Sequence, residues 1–286
     1  MEIVIRPRRG WEFVDLRECW QYRELLWILA LRDIKVRYKQ TAVGVAWAVL
    51  QPLMMMVVFT GLFTLLGRFP AGGDVPYAIT LYCAMLPWQL FASSLAHSGE
   101  SLVGNRHLIT RVYFPRVIVP VAPVVSGLVD FGIAFLLLLA MMGGYGAAGH
   151  AIAPTYAVAA LPLFLLLAVA ASLALGLWLS ALNALYRDFR YVLPFLIQIG
   201  LIASPVLYDL EFLSARVLER GWSPVWISLY ALNPMVGVLE GFRWALLGGP
   251  PPPAIPMIVS SLAVVFLMIG GLAWFRRMER HFADRV

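Results

Sequence analysis

Residues 41–66 read TAVGVAWAVLQPLMMMVVFTGLFTLL, a run without one charged side chain. At about 1.5 Å of rise per residue, a helix over this run reaches past the ~30 Å hydrocarbon core of a bilayer. Pro52 sits inside it, which membrane helices tolerate. Working outward, comparable runs lie at 75–97 (with Pro87), 117–144 (with one charge, Asp130), within 151–186, at 191–208 and at 254–275. The fifth is only just long enough to cross. The pattern predicts an all-α integral membrane protein with six transmembrane helices. Composition agrees: 61% of the 286 residues are apolar and 13% charged, against about 25% charged in a soluble domain. An ordinary soluble globule, a disordered chain and a disulfide scaffold are excluded. Cys19 and Cys83 are too few and too far apart for a disulfide framework or a metal pair.

Charge sets the sidedness. Of the 22 basic residues, all but Lys35 and Lys39 are Arg. Eighteen fall in residues 1–40, the 98–116 and 187–190 loops and the tail from 276, and four in the alternate loops. Basic loops stay in the cytoplasm, so both termini are expected there, as an even number of spans requires. The only apolar run before residue 41, Leu25 to Leu31, is too short for a signal peptide, so the start is expected to be mature protein. The division predicted is a cytoplasmic amphipathic segment at 1–40, one membrane domain at 41–275 and a cytoplasmic tail at 276–286. Between the last two spans, 222–230 and 236–247 are apolar but too short to cross. They are separated by Asn233-Pro234 and followed by Gly248-Gly249 and four prolines. Two half-length helices joined by a turn predict a re-entrant or interfacial hairpin, viable where protein or a wet cavity satisfies its backbone.

The chemistry that is missing narrows the function. His97, His107, His150 and His281 are scattered, with no H-E-x-x-H pair and no G-x-S-x-G elbow. Asp130 is the one carboxylate deep in a span, so no pair of carboxylates is available for acid and base roles. Neither lysine follows a glycine, so no phosphate-cradling P-loop exists. An ion-driven carrier needs more buried ionisable or broken-helix sites than this. What remains is a permease driven by an ATPase supplied in trans. The 101–116 loop suits such a partner. It mixes Leu108, Ile109 and Val112 with Asn105, Arg106, His107 and Arg111, and can fold as a helix that seats in a groove of a soluble subunit. On composition alone, a basic loop anchored at lipid headgroups is the stronger reading.

The strings RDIKVRYKQT (32–41), Gly44, Trp47, Gln51-Pro52, LPW (86–88), the 105–116 loop, SGLVDF (126–131), YRD (186–188), SPV (204–206), LNPM (232–235) and EGFR (240–243) resemble the type-2 ABC exporter permeases of polysaccharides and polyol phosphates. The likeness runs in order over nearly the whole chain. It implies six spans, an N-terminal amphipathic helix at the interface and gate helices before the last span. It also implies a homodimer whose interface is the export channel, with one ATPase docked on each copy through coupling helices. The cargo would be a lipid-linked glycan, typically on undecaprenyl pyrophosphate, moved outward across the bacterial inner membrane. ATP and Mg would be held by the ATPase, with no cofactor or metal on this chain and no nucleic acid as partner. A permease for a drug or other small amphiphile is the alternative within the class, and an enzyme acting on polyprenyl lipids the alternative outside it. Residues 209–224 carry no family signature.

Individual residues can be weighed against plainer roles. Arg32, Lys35 and Lys39 share a helical face before the first span, and Arg37 lies on another. They either meet the lipid pyrophosphate or anchor the segment on anionic lipid, and the two readings stand level. Aromatic rings can stack on the C–H faces of sugars without fixing register. Phe59, Phe63, Trp178, Tyr191, Phe195 and Tyr208, with Gln198, are therefore channel candidates, against lipid contact as the plainer role. Tyr191, Phe195 and Gln198 come first, because a Gln inside a span needs a polar partner. Asp130 is expected to be a neutral, hydrogen-bonded pin, helped by Ser126, rather than part of a gate. Glu240 and Arg243 are expected to pair so that their helix lies at the outer interface. Arg187-Asp188 is either a second ATPase contact or a helix-ending turn.

Overall fold

The computed structural model describes residues 16–39, 44–67, 75–150, 156–186 and 188–285, and every regular element among them is helical. The N-terminal part forms α1 (Leu16–Gln21) and α2 (Arg23–Lys39). The long helices are α3 (Ala46–Leu66), α4 (Tyr77–Gly104) and, after short α5 (Arg106–Arg111), α6 (Ile118–Ala147). A 3₁₀ turn at Tyr156–Ala160 leads into α7 (Leu161–Leu185). Then come α8 (Phe189–Ala203), α9 (Leu210–Glu219), α10 (Val225–Tyr230), α11 (Met235–Leu247) and α12 (Ala254–Arg285).

Among the described residues, five helices are long and apolar enough to cross a membrane: α3, α4, α6, the 3₁₀ turn with α7, and α12 as far as Glu279. The predicted fifth span is realised only as α8. Its 15 residues rise about 22 Å, short of the ~30 Å core. The chain leaves α8 through Ser204-Pro205 and turns into α9, an element with no counterpart in the sequence reading. Asp209 starts α9 by accepting the Phe212 N–H at 2.7 Å, the usual N-cap contact. α12 runs past the predicted end of its span. Phe282 packs edge-on against Phe275, so residues 276–285 extend the last helix.

α4 is the centre of the bundle. It buries twenty residues and packs against α6 and α7 along its length, and against α3, α8 and α11. α3 buries Pro52 alone and α8 buries Leu193 alone. In lipid, where tails are as apolar as Leu, small residues and carbonyl-directed hydroxyls draw helices together. Ser98 donates to the Pro120 carbonyl (2.6 Å) and Asn183 to the Gly99 carbonyl (2.9 Å). A Cβ on Gly271 would stand 2.8 Å from the Ala174 carbonyl oxygen, and one on Gly241 would fall 2.4 Å from the Phe164 ring. These glycines set how close α7 comes to α12 and α11.

α2 follows α6. Leu29 and Ala30 are buried, and Leu29 shares a cluster with Leu102, Ile109, Phe114, Val117 and Ile118 at the basic end of the bundle. Two turns further on, Arg37 and Tyr38 reach Asp130 in the middle of α6.

Candidate functional site

Helical periodicity brings four segments around a cavity of about 320 Å³. α6 contributes Gly127, Asp130, Phe131 and Ala134; α4 contributes Leu86, Gln89, Leu90, Ser93 and His97. The start of α3 adds Trp47, Ala48, Gln51 and Pro52, and the end of α2 adds Arg37 and Tyr38. The α3, α4 and α6 sets recur at three- and four-residue steps, so each lies on one face of its helix.

Asp130 is ion-paired. Its Oδ2 accepts from Arg37 Nη1 and its Oδ1 from the Tyr38 hydroxyl. This corrects the expectation of a neutral pin helped by Ser126, whose hydroxyl turns instead to the Pro123 carbonyl at 2.9 Å. A charged partner at the end of α2 removes the need to protonate the carboxyl. Burial raises the Tyr38 pKa above its ordinary value, against the pull of Arg37, so the phenol stays a donor. The signal was legible in principle: a lone carboxylate within a span calls for a cation, and Arg37 precedes the first span.

His97 places Nδ1 2.7 Å from the Ser93 carbonyl. A carbonyl only accepts, so Nδ1 carries the hydrogen. The amides of Gln51 and Gln89, both on the cavity wall, make no hydrogen bond to any described residue.

At the basic end, the predicted helix of the 101–116 loop is α5. Arg106, His107 and Arg111 are exposed, Leu108 is half-buried and Ile109 is buried. Asn105 starts it, donating to the Ser101 carbonyl (2.8 Å) and accepting from Arg32 (2.7 Å). Arg32 also holds Asp33 at 2.8 Å. Of the three cations proposed for the lipid pyrophosphate, Arg32 is thus occupied, while Lys35 and Lys39 are exposed and make no ion pair among the described residues. Asp188 is exposed at the head of α8. Arg187 lies outside the described residues.

The channel candidates separate. Tyr191, Phe195 and Gln198 form an exposed stripe on α8, with Tyr191 81% exposed. Phe59 and Phe63 are half-buried on α3, and Phe63 meets the Tyr77 ring edge-on at 5.5 Å. Trp178 stacks on Trp274 and donates to the Leu267 carbonyl, between α7 and α12. The Tyr208 hydroxyl sits 3.0 Å from that of Tyr230 and donates to the Ile202 carbonyl.

Glu240 and Arg243 do pair, at 2.9 Å, but inside the protein rather than at an outer interface. Arg243 is 7% exposed and also donates to the carbonyls of Val206 and Tyr208, while Glu240 accepts the Leu210 N–H. The pair thereby ties α11 to the turn between α8 and α9. Asn233 completes the brace, donating to Ala203 O and Ser204 Oγ and capping Met235 N. Among the described residues, no three His, Cys, Asp or Glu side chains gather as a metal site.

A helical bundle with a cavity that gathers several polar side chains, a short helix between long ones at its basic end and no nucleotide loop of its own is the build of a transporter's membrane subunit. Residues 24–247 match the ABC-2 type transporter family, and the chain belongs to it as a multi-pass membrane protein. It is similar to the O-antigen export system permease protein RfbA of Myxococcus xanthus, 30% identical over 95% of this chain and 98% of that one. The RfbA permease of Klebsiella pneumoniae is 25% identical over 91% and 94%, and the polysialic acid transport protein KpsM of Escherichia coli 23% over 88% and 92%.

Proposed function

We propose that this chain is the transmembrane subunit of an ATP-driven exporter that carries lipid-linked polysaccharide, on undecaprenyl pyrophosphate, outward across the bacterial inner membrane. The observation that supports it most is the end-to-end similarity to permeases named for O-antigen export and polysialic acid transport. In this reading α8 serves as the fifth of six crossings, α10 and α11 act as the gate hairpin, and both termini are cytoplasmic. Two copies pair through the sparsely buried faces of α3 and α8. Each copy docks one ATPase through α5, and ATP and Mg belong to that partner.

The test is to produce the chain in membranes with the ATPase encoded beside it and purify through a tag on the permease. A nucleotide-hydrolysing assembly, together with polymer retained inside cells that lack the chain, is the expected result. A permease that purifies alone, with export intact in its absence, would sink the reading.

A further inference from the structure

The cavity walled by α3, α4 and α6 has an unusual balance of polar groups for a site within a membrane bundle. Its two full charges cancel, since Arg37 and Asp130 are paired. Lys35 and Lys39 do not line it. A phosphate or pyrophosphate would therefore find no free Lys or Arg on the wall to meet it, which is costly away from water. Neutral hydrogen-bonding capacity, by contrast, is in surplus. The Gln51 and Gln89 amides offer donors and acceptors that no described residue takes up, and the His97 ring lies on the same wall. Gln51 is exposed and Gln89 half-buried, so both amides are open to an occupant of the cavity. Apart from the hydroxyls of Tyr38 and Ser93 the rest of the wall is largely apolar, and Trp47 on it presents an exposed indole. Its size lies at the low end of small-molecule sites, about 300–1,000 Å³, which suits one ring rather than a length of polymer.

Resting on the export reading, we propose that this cavity is a subsite for one uncharged, hydroxyl-bearing ring of the exported chain. The amides take the ring hydroxyls and Trp47 covers its C–H face. The Arg37–Asp130 pair stays closed while the ring is held. The site thus selects the glycan and not its anionic anchor.

Two experiments in cells making the polymer test this. Gln51→Leu with Gln89→Leu keeps the side-chain bulk and removes both amides. Losing two neutral hydrogen bonds is expected to lower export about tenfold, with permease abundance and ATPase co-purification unchanged. Normal export by that variant would mean that the cavity holds only water, and the proposal falls. Independently, Trp47→p-benzoylphenylalanine is photolysed in these cells and the permease is probed for periodate-sensitive glycan, with Phe195→p-benzoylphenylalanine on α8 in parallel. Glycan attached at 47, and diminished by the two Gln→Leu changes, is expected; this arm decides if the Leu variant fails to accumulate. Glycan at 195 but none at 47 overturns the subsite and leaves the export reading standing. No glycan at either position, with export unaffected by deletion of the chain, overturns both.

Discussion

Asp130 is paired although it lies mid-helix among apolar neighbours, so its loss has a defined cost. Asp130→Asn leaves Arg37 facing an uncharged amide. Breaking a fully buried pair costs about 3–5 kcal/mol. Here the side chains remain 26% and 19% exposed, and water screens part of the pair. A loss of about 1–2 kcal/mol is expected, read as a lower melting temperature of the detergent-solubilised protein. The exchange Arg37→Asp with Asp130→Arg should recover part of it. A double variant no more stable than the sum of its singles would show that the two charges are not coupled. The sequence made Asp130 conspicuous but not its partner: helical spacing assigned Arg37 a face of α2, and only the path of α2 along α6 brings that face to the carboxylate.

At the scale of elements, close approach and bare faces carry the argument. Gly271→Val would drive a side chain into the Ala174 carbonyl, whereas a Cβ on Gly132 meets nothing within 4 Å. The first should cost about 1–3 kcal/mol by overpacking and the second far less, compared by thermal melting of the two variants. The stripe on α8 gives the opposite kind of prediction. Tyr191 and Phe195 are exposed, so Tyr191→Ala with Phe195→Ala removes little packing within the chain. Export is expected to fall while permease abundance and ATPase binding persist; unchanged export would remove α8 from the channel. The length of α8 was not legible in advance. Residues 191–208 carry no charge, but Ser204-Pro205 ends the helix because proline restricts the residue before it and withholds its own N–H.

For the whole molecule, the buried α4 and the sparsely covered α3 and α8 divide the bundle into a packed side and a sparsely covered one. At the basic end, α5 presents Arg106 and Arg111 outward while Ile109 holds it down. If the proposed ATPase docks there, Arg106→Glu with Arg111→Glu should release it from the purified assembly without removing the permease from the membrane. Retained ATPase would move the docking surface off α5.

By itself the sequence determined that this is a helical membrane protein and where most of its long helices run. Those conclusions are legible because the bilayer makes a local demand: each segment must be apolar and must satisfy its own backbone. The tertiary structure decided which helix is central, that Arg37 answers Asp130, that Glu240 and Arg243 brace the turn between α8 and α9 from within, and that two glutamines with no hydrogen bond to a described residue share a cavity. Lipid tails are as apolar as a protein core, so an apolar pattern does not tell which face meets another helix and which meets the membrane. Those pairings rest on the close fit of particular glycines, hydroxyls and charges, which no run of hydrophobic residues encodes.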